Sequence, residues 1–122
     1  MDRIGVRPHR QRYIAFTIQN KQKQTFTRQE IIQAIKLHCT HTYKTHPQTY
    51  GFFLTRLKEN KGIFRCYHTE KERAITFLTS ITTIDGCPVT ITTLGTSGTM
   101  KALIRNFFDG DPLKEVKEPL KQ

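Results

Sequence analysis

Long apolar runs are missing from this sequence. No stretch of about 18 consecutive apolar residues occurs, so nothing in it reads as a transmembrane helix. The first ten residues, Met1 to Arg10, lack the apolar centre of a secretory signal. Cysteine is scarce and odd in number. Cys39, Cys66 and Cys87 lie far apart, which argues against a disulfide framework. Carboxylates are rare where cations are dense: residues 1–68 hold 13 Lys and Arg against three acids. Residues 69–122 hold seven of each, so the whole formal net charge of +10 belongs to the first part. What remains is a chain of 122 residues, 36% hydrophobic, enough for one domain with a single modest core. A soluble, intracellular chain is expected, placed in the cytoplasm.

A basic part joined to a neutral part points one face at a polyanion. The competing reading is a solvated basic surface with no partner. Nucleic acid fits better than a membrane, because no segment pairs a basic face with a broad apolar one.

Ile14, Phe16 and Ile18 alternate with Tyr13, Ala15 and Thr17, the period of a half-buried strand over 12–18. Thr27-Arg28-Gln29-Glu30 has the spacing of a capping box, with Phe26 and Ile31 placed as a hydrophobic staple. The helix it opens should run to about Tyr43, stacking Ile31, Ile35 and Cys39. Two strands are expected next, Tyr50 to about Lys58 and Ile63 to Tyr67, joined by Glu59-Asn60-Lys61-Gly62 with Gly62 supplying a positive φ. Thr69-Glu70-Lys71-Glu72 reads as a second capping box before a helix burying Ala74, Phe77, Leu78 and Ile81. Asp85-Gly86-Cys87-Pro88 turns into a strand over Val89–Leu94, and Gly95-Thr96-Ser97-Gly98 leads to a last helix with Met100, Leu103, Ile104 and Phe107 on one face. The order β-α-β-β-α-β plus an extra helix is the α+β, ferredoxin-like, RRM-related plan, two helices covering one face of a four-stranded antiparallel sheet. The expected division is a flexible basic arm over 1–10, an RNA-binding domain over 11–108 and a loose tail over 109–122.

RNA-binding domains of this plan stack bases on strand aromatics. Lys61-Gly62-Ile63-Phe64-Arg65-Cys66-Tyr67 starts like such a third strand, but Ile63 and Arg65 stand where aromatics are needed. Tyr13 is the remaining stacking candidate, with packing on the sheet as the favoured alternative. Arg65, expected near Arg12 on the open face, is a guanidinium fork for phosphate.

Leu94 to Lys101 is the most pointed motif: a strand ends in a glycine-bracketed hydroxyl cluster that opens a helix, where N–H groups and the helix dipole favour an anion. Ser97 or Thr99 would meet a phosphate oxygen and Lys101 would neutralise it, with Arg105 one turn on. An ordinary Ser N-cap explains the same residues equally well. His38-Cys39-Thr40-His41 with His46 matches no zinc spacing, and the cysteines read as buried small residues. Glu70, Glu72 and Asp85 sit where caps and turns explain them, so no catalytic set is assigned.

Three segments, Arg12-Tyr13-Ile14, Gly62-Ile63-Phe64-Arg65-Cys66 and Ser97-Gly98-Thr99-Met100-Lys101, follow the order and spacing of the archaeal and eukaryal ribonuclease P protein component 2 family. The resemblance spans residues 10–108, and the short length is closer to the archaeal type. It implies a non-catalytic protein subunit of a ribonucleoprotein that removes the 5′ leader from precursor tRNA, where the RNA subunit performs hydrolysis with its own magnesium and the protein holds no cofactor. It also implies pairing with component 3, a TIM-barrel-like subunit, as a dimer or heterotetramer, alongside other ribonuclease P proteins. Carried over by motif, Arg12, Arg65, Ser97, Gly98, Thr99 and Lys101 become RNA-contact candidates. Met100 stands where the family usually has Ile or Leu, a volume-conserving difference. Arg3, Arg7 and Arg10 of the arm, Tyr13 and Arg105 complete the expected RNA surface. The alternatives are an RRM-like single-strand binder and a ferredoxin-like regulator of an anionic ligand.

Overall fold

A computed structural model describes residues 10–107. Most of the basic arm, with Arg3 and Arg7, and the tail over 109–122 lie outside the described residues. The elements run β1 (Gln11–Gln19), α1 (Arg28–Tyr43), β2 (Phe53–Lys58), β3 (Lys61–Tyr67), α2 (Lys71–Ser80), a two-residue ribbon β4 (Thr83–Ile84) and β5 (Cys87–Pro88), then β6 (Thr90–Ser97) and α3 (Met100–Phe107).

The main sheet is ordered β2-β3-β1-β6 with every neighbour antiparallel. This is the ferredoxin-like arrangement that the element order implies. Alternation in β1 decides its two faces. Ile14, Phe16 and Ile18 point inward to α1 and α2, joining Ile31, Ile35 and Cys39 of α1 and Ala74, Phe77 and Leu78 of α2 in the main core. Phe77 is its hub, with ring centroids 5.0 Å from Phe52 and 6.2 Å from Phe64. Ala15 and Ile63 point to the other side, where Leu103 of α3 covers them. The sheet is therefore a middle layer, closed by two helices on one face and partly by α3 on the other.

The capping box at α1 forms as its spacing predicts. Thr27 Oγ1 accepts from the Glu30 N–H at 3.1 Å, and a Glu30 carboxylate oxygen accepts from the Thr27 N–H at 2.9 Å. Lys44 closes this helix in the left-handed region at φ 60. The second expected box does not form. His68–Glu70 make a 3₁₀ turn, and Glu70 caps α2 without a side-chain hydrogen bond. The β2–β3 turn also differs from expectation. Glu59 and Asn60 carry the positive φ values, 48 and 68, in a tight two-residue hairpin turn. Gly62 instead lies within β3, where an added Cβ would stand 2.7 Å from the Phe16 ring and 2.9 Å from the Arg56 carbonyl. Its lack of a side chain admits the Phe16 ring. Pro47–Tyr50 form a 3₁₀ turn, so β2 starts later than its apolar residues predict. The short β4–β5 ribbon, turned by Asp85 and Gly86 at φ 51 and 80, has too few residues to leave a periodic signature.

Candidate nucleic-acid interface

Charge on the main sheet is one-sided. Its strands carry Arg12, Arg56, Lys58, Lys61 and Arg65 and no carboxylate. Cross-strand partners share a face, so register sorts these side chains. Arg65 opposes Tyr13, Lys61 opposes Thr17, and Arg56 opposes Ile63, all on the outer face shared with α3. Lys58 opposes Lys61 on that same face. A bulge at Thr55 makes this possible. Unbroken alternation would put Arg56 on the same side as buried Leu54; the extra residue flips it outward and turns Leu57 into the core instead.

Phe53 stands among these cations, 48% exposed. The Arg65 guanidinium lies 4.8 Å from its ring centroid and that of Arg28 5.9 Å away. Arg28 is anchored by donating to the Leu54 carbonyl. The Nε atoms of Arg56 and Arg65 are buried without a hydrogen-bond partner among the described residues. Arg56, Lys58 and Arg65 form no ion pair among the described residues, whereas Arg73 pairs with Glu70 and Lys71 with Glu72 at the start of α2. Lys61 donates from Nζ to the Phe107 carbonyl at 3.1 Å, tying β3 to the end of α3.

Arg12 does not join Arg65. The two oppose Cys66 and Tyr13 respectively, which puts them on opposite sides of β1 and β3. The expected proximity fails because adjacent strand positions face opposite ways. Arg12 instead reaches the end of the sheet, where an added Cβ on Gly98 would be 3.5 Å from its Nη1. The glycine-bracketed turn is open, with Gly98, Thr99 and Lys101 exposed. Its hydroxyls serve the backbone: Ser97 Oγ accepts from the Thr99 N–H at 3.2 Å and Thr99 Oγ1 from the Ala102 N–H at 3.3 Å. Thr99, not Ser97, is thus the residue that caps α3. Lys101 and Arg105 are exposed on that helix, and Arg10 is exposed at the start of β1, its carbonyl accepting from the His68 N–H at 2.7 Å. Tyr13, like Met100, Ile104 and Phe107, packs against the cluster of Ala15, Ile63 and Leu103 under α3, the packing role favoured by its sequence context.

Two groups result: Arg10, Arg12, Gly98 and Lys101 at one end of the sheet, and Phe53, Arg56, Lys58, Lys61 and Arg65 on the β2–β3 flank. Arg28, Phe53, Arg56 and Lys58 escape the sequence reading, because only the bulge and the position of α1 gather them. The one available signal is the absence of carboxylates from the strands.

Cys39 and Cys66 are buried, and burial pushes the Cys66 thiol up to about 11, with Glu70 adding to the shift. His38 donates to or accepts from Ser80 Oγ at 2.7 Å rather than meeting Cys39. Among the described residues, no three His, Cys, Asp or Glu side chains converge to hold a metal ion. No described helix is long and apolar enough to cross a membrane.

No curated protein matches the chain. A chain in the cryo-EM structure of yeast ribonuclease MRP has a similar fold, with a TM-score of 0.64, 13% sequence identity and coverage of 77% of this chain and 78% of that one. The model of the Rpp14/Pop5 family of ribonuclease P proteins matches residues 12–108, nearly the whole described domain. The chain belongs to the Rpp14/Pop5 family of ribonuclease P protein subunits.

Proposed function

We propose that this chain is a component 2 subunit of archaeal type, working in the cytoplasm on removal of the 5′ leader from precursor tRNA. It grips the ribonuclease P RNA, pairs with the TIM-barrel-like component 3 as a dimer or heterotetramer, and leaves hydrolysis to the RNA and its magnesium. The observation that carries this reading is the carboxylate-free sheet with Arg56, Lys58, Lys61 and Arg65 on one face.

RNA surfaces around an active site repel one another. Cations fixed on a rigid sheet replace diffuse counterions and lower the magnesium needed to hold the folded RNA. Guanidinium and ammonium contacts to phosphate position an RNA without reading its sequence, which suits an enzyme acting on many precursors. Arg12 with the Ser97–Thr99 turn, and Lys101 with Arg105, extend the grip along the end of the sheet. Arg10 adds charge at the start of β1, two residues before Arg12, and Arg7 adds to the basic charge of the sequence ahead of it. Tyr13 contributes by holding α3 in place.

The test is reconstitution with a ribonuclease P RNA and the other protein subunits, measuring precursor-tRNA cleavage as magnesium is lowered. The chain should extend cleavage to lower magnesium. Identical magnesium dependence with and without it would contradict the proposal.

A further inference from the structure

The β2 edge of the sheet carries an aromatic cation cluster that phosphate binding alone does not explain. Phe53 leaves 48% of its surface in water while smaller apolar residues of β2 and β3, Leu54 and Ile63, are buried. Exposing a phenyl ring is unfavourable unless something covers it. Beside it runs a cleft of about 390 Å³ between α1 and the β2 edge, with Phe53, Arg65, Tyr67, Ile35 and Lys36 among its walls. Among the described residues, no carboxylate lines it.

We propose that Phe53 and this cleft receive an unpaired nucleotide of the bound RNA, the base stacking at the Phe53 ring and the phosphate held by Arg65 and Lys36. This deepens the RNA-binding reading above and rests on it. An apolar wall with flanking cations and no acid complements a nucleotide, which joins a flat apolar base to a negative phosphate. Arg65 already lies against the ring, and its Nε is buried without a partner among the described residues. A guanidinium held this way is preset to donate to phosphate while stacking. An acidic peptide would also meet the cations, but it offers no planar group to match the ring. The base platform of RRM domains lies on the first and third strands; here that place is covered by α3, and the available ring has moved to the edge strand.

The experiment measures affinity of the full chain for a single-stranded oligouridine octamer and for a duplex RNA of the same length, in the wild type and in Phe53→Ala, Phe53→Leu and Phe53→Tyr. Thermal melting first establishes that each variant is folded; Phe53→Leu keeps apolar bulk should the alanine variant fail. Loss of the ring should weaken octamer binding by about tenfold or more, leave duplex binding within about twofold, and leave the salt slope unchanged because no cation is lost. Phe53→Tyr should retain octamer affinity. Unchanged octamer affinity in Phe53→Leu, or equal loss on both RNAs, overturns the inference while the RNA-binding reading stands. Loss of a protein partner by Phe53→Leu with RNA binding intact overturns it too, assigning the ring to that partner. A wild type that binds neither RNA overturns the parent reading itself.

Discussion

His38 lies half-buried against the Phe77 ring, 5.1 Å between centroids, with Ser80 as its hydrogen-bond partner. Burial lowers its pKa from the ordinary 6.5, and His41 nearby lowers it further. The unfolded chain therefore takes up this proton first as pH falls through about 6.5, and the fold loses stability below that value. Urea unfolding at pH 8 and pH 5 should show a smaller acid loss in His38→Gln than in the wild type. Cys66 acts at the other end of the scale. Its thiol is raised from 9.0 to about 11, so its contribution to stability is complete below pH 9 and disappears as pH rises toward 11. Its burial has a chemical consequence: in native conditions iodoacetamide should label the half-exposed Cys87, leaving Cys39 and Cys66 to react only in denaturant. Mass spectrometry of the labelled peptides reads this directly, and rapid native labelling of Cys66 would contradict the described core. Phe77 is the residue on which the aromatic core converges, and Phe77→Ala should cost about 3–5 kcal/mol in chemical denaturation.

Among the elements, α3 decides how much of the sheet RNA can reach. It sits on Ala15 and Ile63 through Leu103, and its Phe107 ring fills the place of a missing side chain at Gly95, where an added Cβ would be 2.6 Å from the ring. Gly95→Val should loosen α3 while sparing the α1 and α2 core, visible as faster amide exchange in 100–107 with little change in β1. The apolar stripe of this helix was legible as Met100, Leu103, Ile104 and Phe107, because helical spacing is set by local sequence. Its docking place was not, since nothing in a stripe names its partner. The first capping box was legible for a local reason too: donor and acceptor lie three residues apart. The same pattern at Thr69 misled, because the chain leaves β3 in a 3₁₀ turn that takes those residues out of cap geometry. Bulges were the larger obstacle. One extra residue at Thr55 reverses the faces of everything after it in β2, hiding Arg56 and Lys58 from any reading by alternation.

For the molecule as a whole, the excess of cations in residues 1–68 resolves into a sheet without carboxylates. The fold was readable in the order of its elements, and the polyanion partner in the charge balance. The arrangement of the interface was not, because Arg12 and Arg65 part to opposite faces while Arg28 and Phe53 are brought together from separate elements. The central claim is that cations on the outer sheet face grip the sugar-phosphate chain. Its most direct measurement is the dependence of RNA affinity on salt, in the wild type and in the Arg56→Ala/Lys58→Ala double variant. If both side chains hold phosphates, the slope of log affinity against log salt should fall by about two units. An unchanged slope, with the variant folded, would contradict the account.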